Sequence, residues 1–240
     1  MVTLALADGE HKVVAMTPRA RRDHTRPPSR AATLALVGCE LALDFANTTS
    51  GRGGPRRVEH LRTAQDIVAW AQHAKIIARS RAKELRVRLA RRPRLARQLL
   101  HRSRDVRDLV YEIGAALAAG RPPRSPGVDR LTRIHAACLA CARLMPIKAV
   151  YAWTWTTAER PIEAILGPIT LSAVGLLARA DLSRIKQCPG YDCGWLFVDT
   201  TKNRSRRWCE MEVCGNRAKQ RRLRQRKSRS ADWQRARADA

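Results

Sequence analysis

Apolar side chains recur at helical spacing through most of residues 33–182. Ile67, Trp70, Ala71, Ala74 and Ile77 share one face, and Thr63 stands where an N-cap is needed. Arg81 to Arg91 reads as a second, strongly basic helix that ends near Pro93. Leu95, Leu99, Val106, Leu109, Val110, Ile113 and Leu117 mark a long third helix, stopped by Gly120, Pro122 and Pro123. Val128, Leu131, Ile134, Cys138 and Cys141 mark a fourth. Tyr151, Trp153 and Trp155 alternate with Ala152 and Thr154, which is the period of a strand. Pro161 opens a short turn through Ile162 and Ile165, interrupted by Gly167 and Pro168. Pro168 suits the N1 position of a last helix through Ile169, Ala173 and Leu177.

This pattern predicts a mainly α-helical domain with a little β-structure over residues 33–182, large enough for its own core. Before it, residues 1–32 form a basic tail; the stretch MTPRARRDHTRPPSR is rich in Pro and Arg and reads as disordered. After it, the periodicity gives way to a small module over residues 183–229 and a tail over 230–240.

That module carries two C-x4-C pairs, Cys188/Cys193 and Cys209/Cys214, with fifteen residues between the pairs. Four thiols in two close pairs match the ligand set of one tetrahedral Zn²⁺. Nothing marks the chain as secreted, which weighs against two disulfides. No histidine lies between residues 188 and 240, and four cysteines close the shell, so the zinc is read as structural. A module this short cannot bury enough apolar surface to fold alone, and a structural zinc contributes roughly 10–16 kcal/mol in such units. Trp195, Leu196, Phe197, Val198 and Trp208 are expected to form a miniature core beside the metal. Loss of the zinc is then expected to unfold the C-terminal module and leave the N-terminal domain folded.

Charge changes the picture next. The chain has 47 basic against 21 acidic residues, a formal net charge of +26, which makes nucleic acid the first partner to consider. The module holds Arg204, Arg206, Arg207, Arg217, Lys219, Arg221, Arg222 and Arg224, opposed by Glu210 and Glu212. The segment after Cys214 consists of strong helix formers, with Asn216 as its expected N-cap. Arg217, Arg221 and Arg224 share one face at i, i+4, i+7 spacing. Such a helix repels itself, and each phosphate it neutralises adds roughly −0.9 to the salt slope of binding. Arg206 and Arg207 are candidate backbone clamps. Asn216 and Arg217 stand where a helix end can meet base edges, although capping accounts for Asn216 equally well. Trp208 fits core packing better than base stacking.

These residues resemble a known family. Cys188, Cys193–Gly194–Trp195–Leu196–Phe197, Asp199–Thr200, Arg204–Ser205–Arg206–Arg207–Trp208–Cys209 and Cys214–Gly215–Asn216–Arg217–Ala218–Lys219 are similar to the CGNR zinc-finger family, named after the tetrapeptide at 214–217. The segments LALDFANTTSGRGG, TAQDIVAWAQHAKII and Tyr151–Trp155 resemble the ABATE domain, its usual N-terminal partner, so the likeness spans residues 35–227. The resemblance implies a bacterial, stress-related transcription regulator with Cys188, Cys193, Cys209 and Cys214 as zinc ligands.

The remaining residues narrow the function by what they lack. Cys138 and Cys141 form a C-x2-C on a face of small apolar residues and read as core thiols, as does Cys39. Asp44 and Asn47 sit in a polar break, as turn caps or as ligand contacts, with capping favoured. Paired carboxylates, a nucleophile elbow and phosphate-binding glycine loops are absent, and GRGG at 51–54 reads as a flexible turn, so the protein is not read as an enzyme. No apolar run is long enough to cross a membrane, and the N-terminus lacks the features of a signal peptide. The chain is therefore read as a cytoplasmic, nucleoid-associated DNA-binding regulator without a membrane partner. Homodimerisation and a small-molecule effector are further expected roles of the N-terminal domain; the aromatic strand 151–155 reads more readily as core or dimer packing than as the lining of a small-molecule pocket. RNA or the ribosome is the alternative target of the finger.

Overall fold

The computed structural model describes residues 29–178 and 181–238, with side chains of the last helix described as far as residue 228. The disordered tail expected over residues 1–32 lies outside the described residues as far as 28; residues 29–32 instead join the fold, with Ala31 buried in the helical core. Ser29 is placed, its hydroxyl donating to the His60 carbonyl at 2.8 Å.

Helix α1 (Leu41–Ala46) buries Ala42, Leu43, Phe45 and Ala46. Strands β1 (Thr49–Ser50) and β2 (Val58–Glu59) form a minimal antiparallel pair. Helix α2 (Ala64–His73) begins at a full capping box: Thr63 Oγ1 accepts the Asp66 N–H, and the Asp66 carboxylate accepts the Thr63 N–H at 2.8 Å. Its Trp70 packs on Phe45 with ring centroids 4.9 Å apart. Helix α3 (Arg79–Arg91) turns Ala82, Leu85 and Leu89 inward. Pro93 then occupies the first turn of α4 (Pro93–Ala118), where its missing N–H costs nothing. The 26 residues of α4 span about 39 Å and form the spine of the molecule. On its buried side Arg107 is 2% exposed and pairs with Glu59 at 2.6 Å and with Asp108 at 3.1 Å. Helix α5 (Ser125–Leu139) follows the Gly/Pro break.

The aromatic strand is one arm of a hairpin, β3 (Arg143–Ile147) and β4 (Val150–Thr154), paired antiparallel with Leu144 opposite Trp153. β3 is exposed along its whole length and contains Pro146, so it carries no alternation to read. Tyr151 is 70% and Trp153 42% exposed, so the strand lines no interior pocket. Trp155, expected in the strand, turns inward instead; its indole packs on Gly167 and donates to the Cys138 carbonyl at 2.8 Å.

The turn-and-helix expected over 161–177 is a single helix, α6 (Pro161–Leu177), with Pro168 inside it. Pro161, not Pro168, takes the first-turn position. Pro168 withholds one helix hydrogen bond, at a cost of about 3 kcal/mol. Ile162, Ile165, Leu166, Ile169 and Leu176 are all buried, each contributing about 1.5–3 kcal/mol, and that burial carries the helix through.

A single 3-10 turn (Leu182–Arg184) leads into β5 (Ile185–Gln187), which pairs antiparallel with β6 (Leu196–Val198). A π-turn over Met211–Gly215 runs directly into α7 (Asn216–Ala238), past the expected helix end near 229. The expected miniature core is divided by the alternation of β6. Phe197 packs with Cys188, Cys209 and Cys214, beside Trp195 and Trp208. Leu196 and Val198 face the other way, into a cluster with Leu43, Leu176 and Ile185. The C-terminal module therefore shares a core with α1, α4 and α6 of the helical domain. Among the described residues, no helix is long and apolar enough to cross a membrane.

Candidate metal centre and nucleic-acid groove

Cys188 leaves β5 and its N–H donates to the Trp195 carbonyl at 2.8 Å, closing the loop between the two strands. Cys193 donates back to the Gly190 carbonyl at 3.0 Å, forming the first knuckle. A Cβ at Gly190 would lie 3.0 Å from Cys193 Cβ and 3.3 Å from Cys214 Sγ, so the knuckle needs glycine there. Cys214 lies in the π-turn, with its N–H on the Glu210 carbonyl at 2.9 Å.

The four Sγ atoms lie within 4.8 Å of one another, and Cys193–Cys209 and Cys209–Cys214 are each 3.6 Å apart. Tetrahedral thiolates at about 2.3 Å from Zn²⁺ are about 3.8 Å from each other, so the cluster has the dimensions of a zinc shell. Hydrogen bonds from Cys193, Cys209 and Cys214 pull the Cys188 thiol far down, while its neighbours push Cys209 far up. Packed together, the four thiols can all ionise only with a cation among them, and Zn²⁺ offsets half of the resulting charge. Cys138 and Cys141 join no such cluster among the described residues, and burial pushes the Cys138 thiol up to about 11.

The shell is braced from the helical domain by contacts that no local sequence signal announces. The Asn47 amide donates to the Leu196 carbonyl at 2.8 Å and accepts the Leu196 N–H at 2.8 Å. Asn47 stands at the C-cap position of α1 through its backbone, and its side chain braces β6. Asp44 does bind a turn, accepting the Gly38 N–H at 2.7 Å. Tyr111 Oη donates to the Gly194 carbonyl at 2.9 Å, and Trp195 Nε1 to the Thr49 carbonyl at 3.2 Å. The GRGG segment is a turn, closed by the Gly54 N–H on the Gly51 carbonyl at 3.2 Å, and it also serves as a packing surface. Gly53 abuts Gly194, which needs a positive φ of 72°, and Gly54 abuts Asp192.

The basic residues sort into two groups. Arg206 is spent on the fold. Its guanidinium donates to the carbonyls of Val37 at 2.7 Å and Cys209 at 2.6 Å and lies 4.4 Å over the Phe197 ring. Arg204, at a φ of 53°, reaches back to Asp181 at 3.0 Å and Ser183 at 3.1 Å. Buried Asp199 holds this loop together. It accepts from Lys186 at 2.6 Å and from the Arg206 N–H at 3.0 Å; these partners outweigh burial and hold its carboxyl well below the usual range.

Arg207, Arg217, Arg221, Arg222 and Arg224 instead line an open groove of about 970 Å³ between the first zinc knuckle and α7. Arg221 lies 4.2 Å over the Tyr191 ring, and Arg207 lies 5.5 Å over Trp208. Arg56 lines the same groove from the helical domain, 3.3 Å from Asp192. Sequence reasoning missed Arg56, because only the fold brings it to the finger. Asn216 and Lys219 are exposed on α7 outside this lining. Asn216 has helical angles, φ −65° and ψ −41°, so it continues the π-turn into α7 and does not cap it.

Comparison with known families supplies the last finding. Residues 40–180 match the ABATE family, described as "Putative stress-induced transcription regulator", and residues 184–227 match the CGNR zinc finger. No curated protein matches the chain. The finger match and the four-thiol cluster together identify one structural zinc.

Proposed function

The chain belongs to the ABATE family and carries a CGNR zinc finger, and from that premise we propose that it regulates transcription by binding DNA through the groove beside the zinc. The observation that carries the reading is the groove itself. Metal ligand Cys214 lies two residues before α7, so the zinc fixes the root of the helix. Arg217, Arg221 and Arg224 face the knuckle across the groove, and Arg56 and Arg207 close its sides. Six guanidiniums, Arg222 included, around one open channel fit a phosphodiester backbone better than a small anion. Asn216 and Lys219 extend the proposed contact set. Arg204 and Arg206 leave it, because their guanidiniums hold the finger together.

Replacing Arg217, Arg221 and Arg224 together with Ala tests the proposal. Zinc content and melting are expected to stay as in the wild type, since all three side chains are exposed. Duplex affinity is expected to fall, and the salt slope to become shallower by about 3. Retained affinity at physiological salt would remove the groove as the binding site. Competition with a structured RNA separates the two nucleic acids: preference for RNA would move the target from promoter DNA to A-form helices. Selection of genomic fragments then reads specificity, with a few enriched sequences expected for a regulator.

A further inference from the structure

Among the described residues outside the finger, a dense basic surface lies where α3 meets α4. Residues 79–97 hold nine cations, from Arg79 to Arg97, and a single acid, Glu84. Glu84 is taken by Arg81 at 2.9 Å. Arg79, Lys83, Arg91, Arg92, Arg94 and Arg97 are exposed, and their side chains have no hydrogen bond or ion pair among the described residues. Lys83, Arg88, Arg91 and Arg92 border a shallow hollow of about 660 Å³ along α3.

Stability explains only part of this arrangement: Arg88 and Arg91 suit the C-terminal end of α3, and Arg88 also donates to the Thr157 carbonyl at 3.1 Å. Neither α3 nor α4 has an acid in its first turn, where the helix dipole favours one. Arg79, Arg81 and Arg94 stand there instead. Arg79/Lys83 and Arg88/Arg92 set like charges one turn apart, each pair destabilising its helix slightly. The apolar face of α3, Ala82, Leu85 and Leu89, is buried in the core, leaving no apolar face to enter a lipid surface. From Pro93 to Tyr111, whose hydroxyl touches the first knuckle, is about 27 Å along α4, less than one turn of B-DNA at about 34 Å.

We infer that the α3–α4 corner is a second phosphodiester-binding surface, in the ABATE domain and apart from the zinc groove. The inference rests on the nucleic-acid reading of the protein but not on the groove residues. It takes its phosphates from the duplex held at the finger, which lies within about one turn of B-DNA along α4.

The test is a variant with Arg79, Lys83, Arg91 and Arg94 changed to Gln, in the full zinc-loaded chain, binding a duplex of about 30 base pairs between about 100 and 300 mM salt. Circular dichroism and zinc content check that the fold is intact. The expected result is a salt slope shallower by about 3 to 4 and at least tenfold weaker binding at the upper salt. A shortened footprint on that duplex is expected. An unchanged footprint with lost capture of a second, labelled duplex would overturn the assignment to the duplex at the finger. An unchanged slope here, with affinity lost in the Arg217/Arg221/Arg224 variant, would overturn this surface and leave the groove standing. The reverse pattern would keep this surface and overturn the groove, and no binding by the wild type would overturn both. Unchanged duplex binding with lost adsorption to anionic vesicles would assign the patch to lipid and refute the inference.

Discussion

At the scale of single residues, Asp44 shows how a short polar break acquires an energetic role. Burial pushes its carboxyl up to about 6, with the Gly38 hydrogen bond and the nearby Arg206 charge giving partial relief. The native state then binds more protons than the unfolded chain between about pH 4 and pH 6. Stability contributed through this group therefore falls as pH rises through that window and stays lower above it. The shift is worth about 3 kcal/mol at most, and less because water reaches part of the side chain. Asp44→Asn keeps the acceptor for Gly38 and removes the buried charge. Urea midpoints should show almost no gain near pH 3, below both pKa values, and a gain of about 1–2 kcal/mol near pH 7.5. An equal gain at both pH values would show that the charge is not the cause. The sequence identified Asp44 and Asn47 as special but left their roles open. The clamp from Asn47 closes on Leu196, 149 residues away, and no local pattern encodes such a partner.

At the scale of elements, legibility follows the amphipathic pattern. Helices α2 to α5 each bury one stripe, and their periodicity marks them. Spacing alone exposed the zinc ligands, because four cysteines in two short pairs have few other uses. Helix α6 is buried on most of its circumference, so it has no stripe to read and its prolines dominate the local signal. Strand β3 fails for the opposite reason, being exposed throughout. The hairpin and α6 meet at Trp155, which directly follows β4 and lays its indole on Gly167. A Cβ at Gly167 would overlap that ring. Gly167→Ala, although better for an isolated helix by about 1 kcal/mol, is expected to destabilise the protein by about 1–3 kcal/mol through overpacking. Thermal melting checks the sign. A stabilised variant would mean that the hairpin yields freely and that Trp155 anchors nothing.

At the scale of the whole molecule, the two family segments are not beads on a string. β6 carries Phe197 into the metal cluster and Leu196 and Val198 into the cluster with Leu43 and Leu176. An independent finger, the arrangement expected from the sequence, would lose its structure alone when the zinc is removed. Here the loss also uncovers Leu43 and Leu176, each worth about 1.5–3 kcal/mol, and leaves the Asn47 amide without Leu196. Chelation is therefore expected to accelerate amide exchange in α1 and in the Tyr111–Leu117 stretch of α4 together with the finger. Amides of α2 and α3, which pack around Trp70 and Leu85 away from β6, should keep their protection. Cys188→Ser should reproduce the pattern without a chelator. If α1 and α4 exchange at the same rate with and without zinc, the shared cluster is not coupled, and the finger works as a detachable module. If they respond as expected, zinc occupancy and the state of the helical domain are linked, and linkage is reciprocal. Any ligand or partner that tightens α1 against α4 would then raise zinc retention, and with it the hold on the root of α7.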